Sequence, residues 1–237
     1  MRVRGLAVVG VGATAVAAGL VGLLHLLPPS AHVHPVRHTI SEYALLETGW
    51  LFNVAVLTLS VGSVAVLVAC LRARLVVAAS PAAACLLLWS VSLCTLVVFP
   101  KHDWSVGPSV SGDVHRLATV VGFVSLPLGA LLVTWSWRAH PIWRGHAYRS
   151  GCLGALSLLC FLPIPAAVAL EPLTGVRWWR AIPLGAVERL LALCEVVTVL
   201  ALGWWAARAA PVQTVTGARR AGRSVRSKLS VWPGRKG

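Results

Sequence analysis

Charge is scarce in this 237-residue chain: 12% of its residues are charged and 57% are hydrophobic, against about 25% charged in soluble domains. A water-soluble fold could not cover that much apolar side chain. Acid is scarcer still, with seven Asp and Glu against 21 Lys and Arg and a net charge of +14. The motifs of soluble chemistry are also missing. No glycine-rich phosphate loop follows a strand, and neither H-E-x-x-H nor G-x-S-x-G occurs, which removes the nucleotide-binding, zinc-protease and α/β-hydrolase readings that rest on them. The six cysteines form no C-x-x-C pair. They fall in apolar runs and read as small packing residues, not as a zinc knuckle or a disulfide framework. Alternating segments of about ten residues, the mark of a transmembrane barrel, are absent too.

Apolar length is what the chain has. Runs almost free of charge cover residues 5–28, 48–71, 75–99, 114–137, 150–170 and 183–207, each near or above the roughly 20 residues that carry a helix across a bilayer. Lipid offers backbone groups no water, so spanning segments must satisfy their own hydrogen bonds as helices. The fold class is therefore all-α, a polytopic membrane bundle of six transmembrane helices over residues 1–208. A basic cytoplasmic tail, expected to be disordered, follows over 209–237. "MRVR" and "PPSA" frame the first run like a signal peptide, but its apolar stretch exceeds the roughly 7–15 residues of such a region, so it reads as a retained helix.

Basic residues set the orientation. With the amino terminus inside, the inner segments hold Arg2, Arg4, Arg72, Arg74, Arg138, Arg144, Arg149, Arg208 and the tail, fifteen of the 21 basic residues. That is the positive-inside pattern, and it predicts N-in, C-in topology. Trp50, Trp104, Trp178 and Trp179 fall at outer borders and Trp135, Trp137, Trp143, Trp204 and Trp205 at inner ones, as an aromatic belt requires. Pro81, Pro127, Pro163 and Pro165 predict kinks. The bilayer is the obligatory partner, and the tail adds attraction to anionic lipid of about 1 kcal/mol per basic residue near the surface. No nucleic-acid partner is expected, and the oligomeric state is open.

This orientation gathers the acids. Glu42, Glu47, Asp103, Asp113, Glu171, Glu188 and Glu195 all fall on the outer side or in the outer part of the bundle, with His25, His32, His34, His38, His102 and His115. Local structure accounts for some of them. Glu42, Asp113 and Glu188 stand near helix amino termini, where the macrodipole favours negative charge by about 0.3–1 kcal/mol. Thr39 and Glu42 have the T-x-x-E spacing of a capping box. Glu195 is different: it lies about 18 Å along the last helix, near the midplane, where a carboxylate costs at least about 2.5–3.5 kcal/mol and faces a partner or a water-filled cavity. Seven residues separate it from Glu188, so both share one helix face, and Arg189 is the adjacent cation.

"HTISEYALLETGW", "FPKHDWSVGPSVSGDVHRLATVVGFVSLPLGALL" and "GAVERLLAL" together resemble the bacterial domain-of-unknown-function 998 family of six-span membrane proteins, over roughly residues 5–207. Its S-E-Y motif matches Ser41, Glu42 and Tyr43; its loop aspartate and G-x-x-H match Asp103, Gly112 and His115; its E-R pair matches Glu188 and Arg189. The resemblance implies fold and membrane location, and no activity. The arginine-rich, lysine-poor composition resembles that of actinobacterial proteins, and the location expected is the bacterial plasma membrane.

Three functions fit these residues. One is a structural or partner-binding membrane protein whose polar cluster fixes helix register. Another is a membrane-embedded, metal-dependent hydrolase or lipid-modifying enzyme at the outer leaflet. Its catalytic candidates are Ser41, Glu42, Asp103, Asp113, His115, Glu188 and Arg189, and its ligands for a divalent metal such as zinc are His102, Asp103, Asp113 and His115, because carboxylates and imidazoles can hold an ion that activates water. The third is a small transporter or lipid-handling protein that binds a lipid or small molecule through Glu188 and Glu195. Convergence of the first set around a cavity favours the enzyme; Glu195 on a membrane-crossing path favours transport.

Overall fold

The computed structural model describes residues 2–229, with side chains described to 210. Every regular element among the described residues is helical. They are α1 (Val3–Leu24), α2 (Gly49–Arg72), α3 (Pro81–Val98), α4 (Val110–Trp137), α5 (Arg144–Phe161), α6 (Pro163–Thr174), α7 (Trp178–Ala181) and α8 (Leu184–Leu229), with 3-10 turns at Ser30–His32 and Ile40–Leu45. Six segments are long and apolar enough to cross a membrane: α1, α2, α3, α4, the pair α5–α6 over Arg144–Thr174, and α8 over Leu184–Ala210. Connections 25–48, 99–109 and 175–183 share one end of the bundle, here the polar end. Connections 73–80 and 138–143 share the other, the basic end.

Capping chemistry moves several boundaries from their expected places. The third helix opens at Pro81 because Ser80 Oγ accepts the Ala83 N–H at 3.2 Å and proline suits the first helical position. Pro81 thus starts a helix and does not kink one. Ser109 caps α4 by accepting the Gly112 N–H at 3.1 Å, so this helix begins at Val110 and not at 114. The fifth span begins at Arg144, six residues before the apolar run, because arginine stems can lie along a helix with their heads in water. It then breaks at Leu162, where Pro163 opens α6, so this proline divides two helices.

Small residues bring α1 and α2 into backbone contact. A Cβ on Gly10 would lie 2.7 Å from Val66 Cγ2 and 2.8 Å from the Gly62 carbonyl, a close approach of the kind that drives helix association in lipid. Polar braces join other pairs. Ser60 Oγ donates to the Ser90 carbonyl at 2.8 Å and Trp89 Nε1 to Ser63 Oγ at 3.0 Å, tying α2 to α3. Thr134 Oγ1 reaches the Ala147 carbonyl at 2.8 Å, tying α4 to α5.

The tryptophans divide. Trp50, Trp104, Trp135, Trp179 and Trp204 are exposed, as a belt requires, but Trp205 is fully buried, edge-on to Trp137 and stacked on His146, with centroids 6.1 Å apart in both cases. Consecutive helical residues point about 100° apart. Trp204 and Trp205 therefore cannot both face lipid.

At the polar end α6 leaves the bundle. Ala167 is its one buried residue, while Val168, Leu170 and Leu173 are exposed. A stripe of α8, Leu190, Leu193 and Val197, is exposed as well. The basic arm expected over 209–237 lies outside the described residues from 230, and outside the described side chains from 211.

Candidate functional site

The polar end is built on the first turns of α8. Gly185 lets the loop from Pro35 to His38 lie directly on the helix, since a Cβ there would run into the Pro35 and His38 carbonyl oxygens. Ala186 N–H donates to the Val36 carbonyl at 3.2 Å. One turn further, Arg189 fastens the loop. Its Nε donates to His25 Nε2 at 2.9 Å, one terminal nitrogen to the Pro35 and His38 carbonyls at 2.7 Å each and to Gly185 O at 3.0 Å, and the other to the Tyr43 hydroxyl at 2.9 Å. Five acceptors use the planar donor fork on both edges. His25 Nδ1–H donates to the Val21 carbonyl at 2.8 Å, which leaves Nε2 as the acceptor that Arg189 requires. Glu188, also buried, accepts the Ile40 N–H at 2.8 Å.

Glu42 is the second anchor. Its carboxylate closes the capping box by accepting the Thr39 N–H at 3.2 Å, meets His38 Nδ1 at 2.6 Å and lies 3.5 Å from Lys101 Nζ. Burial pushes this carboxyl up, but Lys101, the Thr39 amide and His38 outweigh it and hold it below the usual carboxylate range. Lys101 also donates to Thr39 Oγ1 at 2.9 Å, joining the α3–α4 connection to the first loop. Ser41 Oγ is 3.1 Å from Thr39 Oγ1. Among the described residues no imidazole or carboxylate bonds that hydroxyl.

The α3–α4 residues form a separate set. His102 Nδ1 accepts the Ser109 N–H at 3.0 Å, which places the proton on Nε2, 3.4 Å from Asp113 Oδ1. Its ring lies flat against Gly112, where a Cβ would strike it. Gly112 is therefore the surface on which an imidazole rests. His115 Nδ1–H donates to the Phe99 carbonyl at 2.8 Å and clamps the end of α3 to α4. Its Nε2 is buried without a partner. Asp103 turns away from both histidines to accept the Ser105 hydroxyl at 2.6 Å and amide at 2.9 Å, and these bonds hold its carboxyl low.

The four expected metal ligands thus do not come together. His102 and Asp113 meet, Asp103 and His115 each face elsewhere, and among the described residues no group of three or more His, Cys, Asp or Glu is placed to hold a metal ion. Of the catalytic candidates, Ser41, Glu188 and Arg189 border one cavity; Glu42 lies behind them in the loop. Lys101 went unnoticed in the sequence, although a signal existed: it is the chain's first lysine, and the next is Lys228.

The cavity has a volume of ≈ 350 Å³ and lies among α1, α2, α3, α4 and α8, within the roughly 300–1,000 Å³ range of ligand sites. Its walls include Phe52, Trp89, Leu93, Phe123 and Val196, and its polar groups include Ser41, Glu188 and Glu195. Glu195 is 0% exposed, and both of its carboxylate oxygens are buried without a hydrogen-bond partner among the described residues. Ala18, Gly22 and Leu193 also line the cavity although each is exposed, Leu193 at 59%.

Fold and site together define a multi-pass helical membrane protein with a polar cap over an intramembrane cavity. The model of the family described as Protein of unknown function (DUF998) matches residues 8–205, and the chain belongs to that family. No curated protein and no solved structure matches it.

Proposed function

We propose that this protein is a lipid-handling protein that takes a small amphiphile from the bilayer into the cavity beneath its polar cap. One observation carries the reading: the wall of a largely apolar cavity of ≈ 350 Å³ contains a buried glutamate, Glu195, that has no hydrogen-bond partner among the described residues. A carboxylate at membrane depth normally faces a partner or a water-filled cavity and marks a pathway or a ligand site. Access from the side supports the reading. Leu193 belongs both to the exposed stripe of α8 and to the cavity wall, so an acyl chain can enter without crossing the polar cap. Glu188, Arg189 and Ser41 form the cap's inner surface. Glu42, His102, Asp103, Asp113 and His115 hold the two connections above it. We place that cap on the outer side of a bacterial plasma membrane, with both termini in the cytoplasm and the basic tail against anionic lipid.

The metal-hydrolase reading needs a nucleophile beside its base and a convergent ligand set. The hydrogen-bond partners of Ser41 and the dispersal of His102, Asp103, Asp113 and His115 weigh against it. Photolabelling tests the proposal. An alkyl diazirine probe in lipid nanodiscs labels peptides from the cavity wall, and Ala192→Phe, which fills the wall of α8, cuts that labelling about tenfold, the equivalent of 1.4 kcal/mol. Labelling that stays on the outer helix faces and ignores Ala192→Phe overturns the reading.

A further inference from the structure

The polar lining of the cavity is unbalanced, and the imbalance specifies a ligand. Two glutamates line the space: Glu188, and Glu195, whose carboxylate oxygens are buried in the wall. Arg189 is the cation in the same wall, but its guanidinium is taken by His25, Tyr43 and three carbonyls. Lys101, the next cation toward the loops, is held by Thr39 and Glu42. Among the described residues neither Glu188 nor Glu195 has a cation within ion-pair distance; the ion pairs there involve Glu42, Asp113 and Glu171. Glu188 gives one oxygen to the Ile40 amide, and among the described residues no hydrogen bond is made to the other. An apolar cavity lined by glutamates at two depths, with no free cation in its wall among the described residues, is complementary to a cation that carries its own apolar body.

We propose that the cavity binds the ammonium group of a single-chain cationic amphiphile, with the second oxygen of Glu188 as acceptor nearer the polar end and Glu195, set in the wall below it, as counter-ion. This rests on the amphiphile-handling reading above and adds the head-group class. A bare metal ion fits less well. Hard cations gather several oxygen ligands, whereas no three acidic or imidazole side chains meet among the described residues. An ammonium needs fewer acceptors, and its chain satisfies the apolar walls. Phe52, Trp89 and Phe123 in those walls add aromatic faces, which attract quaternary and primary ammonium groups alike. A volume of ≈ 350 Å³, at the small end for ligand sites, suits one chain and excludes a two-chain phospholipid body.

Three diazirine probes that share one ten-carbon chain test this on the full chain in uncharged-lipid nanodiscs: a trimethylammonium, an alcohol and a carboxylate. The expected result is cavity labelling at least tenfold stronger for the ammonium than for the other two, with Glu195→Gln removing that preference and Glu188→Gln weakening it. Glutamine keeps the shape of the side chain and cannot ionise, so Glu195→Gln is expected to lose the rise in melting temperature that trimethylammonium produces. Equal labelling by all three heads, insensitive to Glu195→Gln, overturns the ammonium proposal and leaves the amphiphile reading standing. Cavity labelling by none of them overturns both. A Glu195→Gln protein that does not fold moves the decision to the wild-type preference among heads and to Glu188→Gln. Mass spectrometry of protein extracted from cells separates two sources of the same chemistry: a retained amine-bearing lipid identifies an endogenous ligand, and binding of added probe alone an exogenous one.

Discussion

At the scale of single residues, Glu42 shows how far local spacing reaches. T-x-x-E over Thr39–Glu42 specifies a reciprocal cap without any tertiary information, and the structure forms it. The same carboxylate also meets His38 and Lys101, which gives its ionisation a sign. Its folded value lies below the ordinary 4.5, so its stabilisation is fully present above that pH and is lost as pH falls through the folded value. The expected outcome is a melting temperature in detergent that falls between pH 5 and pH 3 more steeply for wild type than for Glu42→Gln, a difference of at most about 1 kcal/mol for a partly solvated pair. Parallel curves would remove the assignment. Arg189 marks the opposite limit. Its sequence neighbour Glu188 invites a local ion pair, but its partners stand up to 164 positions away, and no local pattern predicts a fan of carbonyls. The same holds for Gly112, which the sequence presents as part of G-x-x-H and the structure explains as the seat of the His102 ring.

At the scale of elements, helix existence was legible in the sequence and helix ends were less so. Hydropathy locates six apolar runs because lipid imposes length and composition together. The ends depend instead on single capping residues such as Ser80 and Ser109, and on arginines that a hydropathy scan treats as breaks. The break at Leu162 was expected as a kink, because sequence shows the proline and does not show whether neighbours re-form the ladder across it. Packing between elements can be tested at α1. Gly10→Val overpacks the contact with Gly62 and Val66 and is expected to cost about 1–3 kcal/mol. Gly12→Val, at a position with nothing within 4 Å, is expected to be near neutral. Equal chemical-denaturation midpoints for the two variants would contradict the close crossing.

At the scale of the whole molecule, the arginine distribution predicts orientation and the fold supplies the end to which it applies. A reporter fused after residue 237 is expected to be active in its cytoplasmic form and inactive in its exported form; the reverse would invert the placement of the polar cap. The cavity was not readable from sequence, because its walls come from five helices and its defining property, a carboxylate without a partner, depends on what every neighbour fails to offer. The depth of Glu195 along its helix was the one advance sign. The fan around Arg189 carries a consequence for biogenesis. The loop after α1 is fastened largely by a residue of α8, so a nascent chain cannot settle that loop until its final span has entered the lipid. A ribosome-released product truncated before residue 184 would display an unlatched, hydrogen-bond-hungry segment for membrane proteases to recognise, and completion of the last helix is what would conceal it.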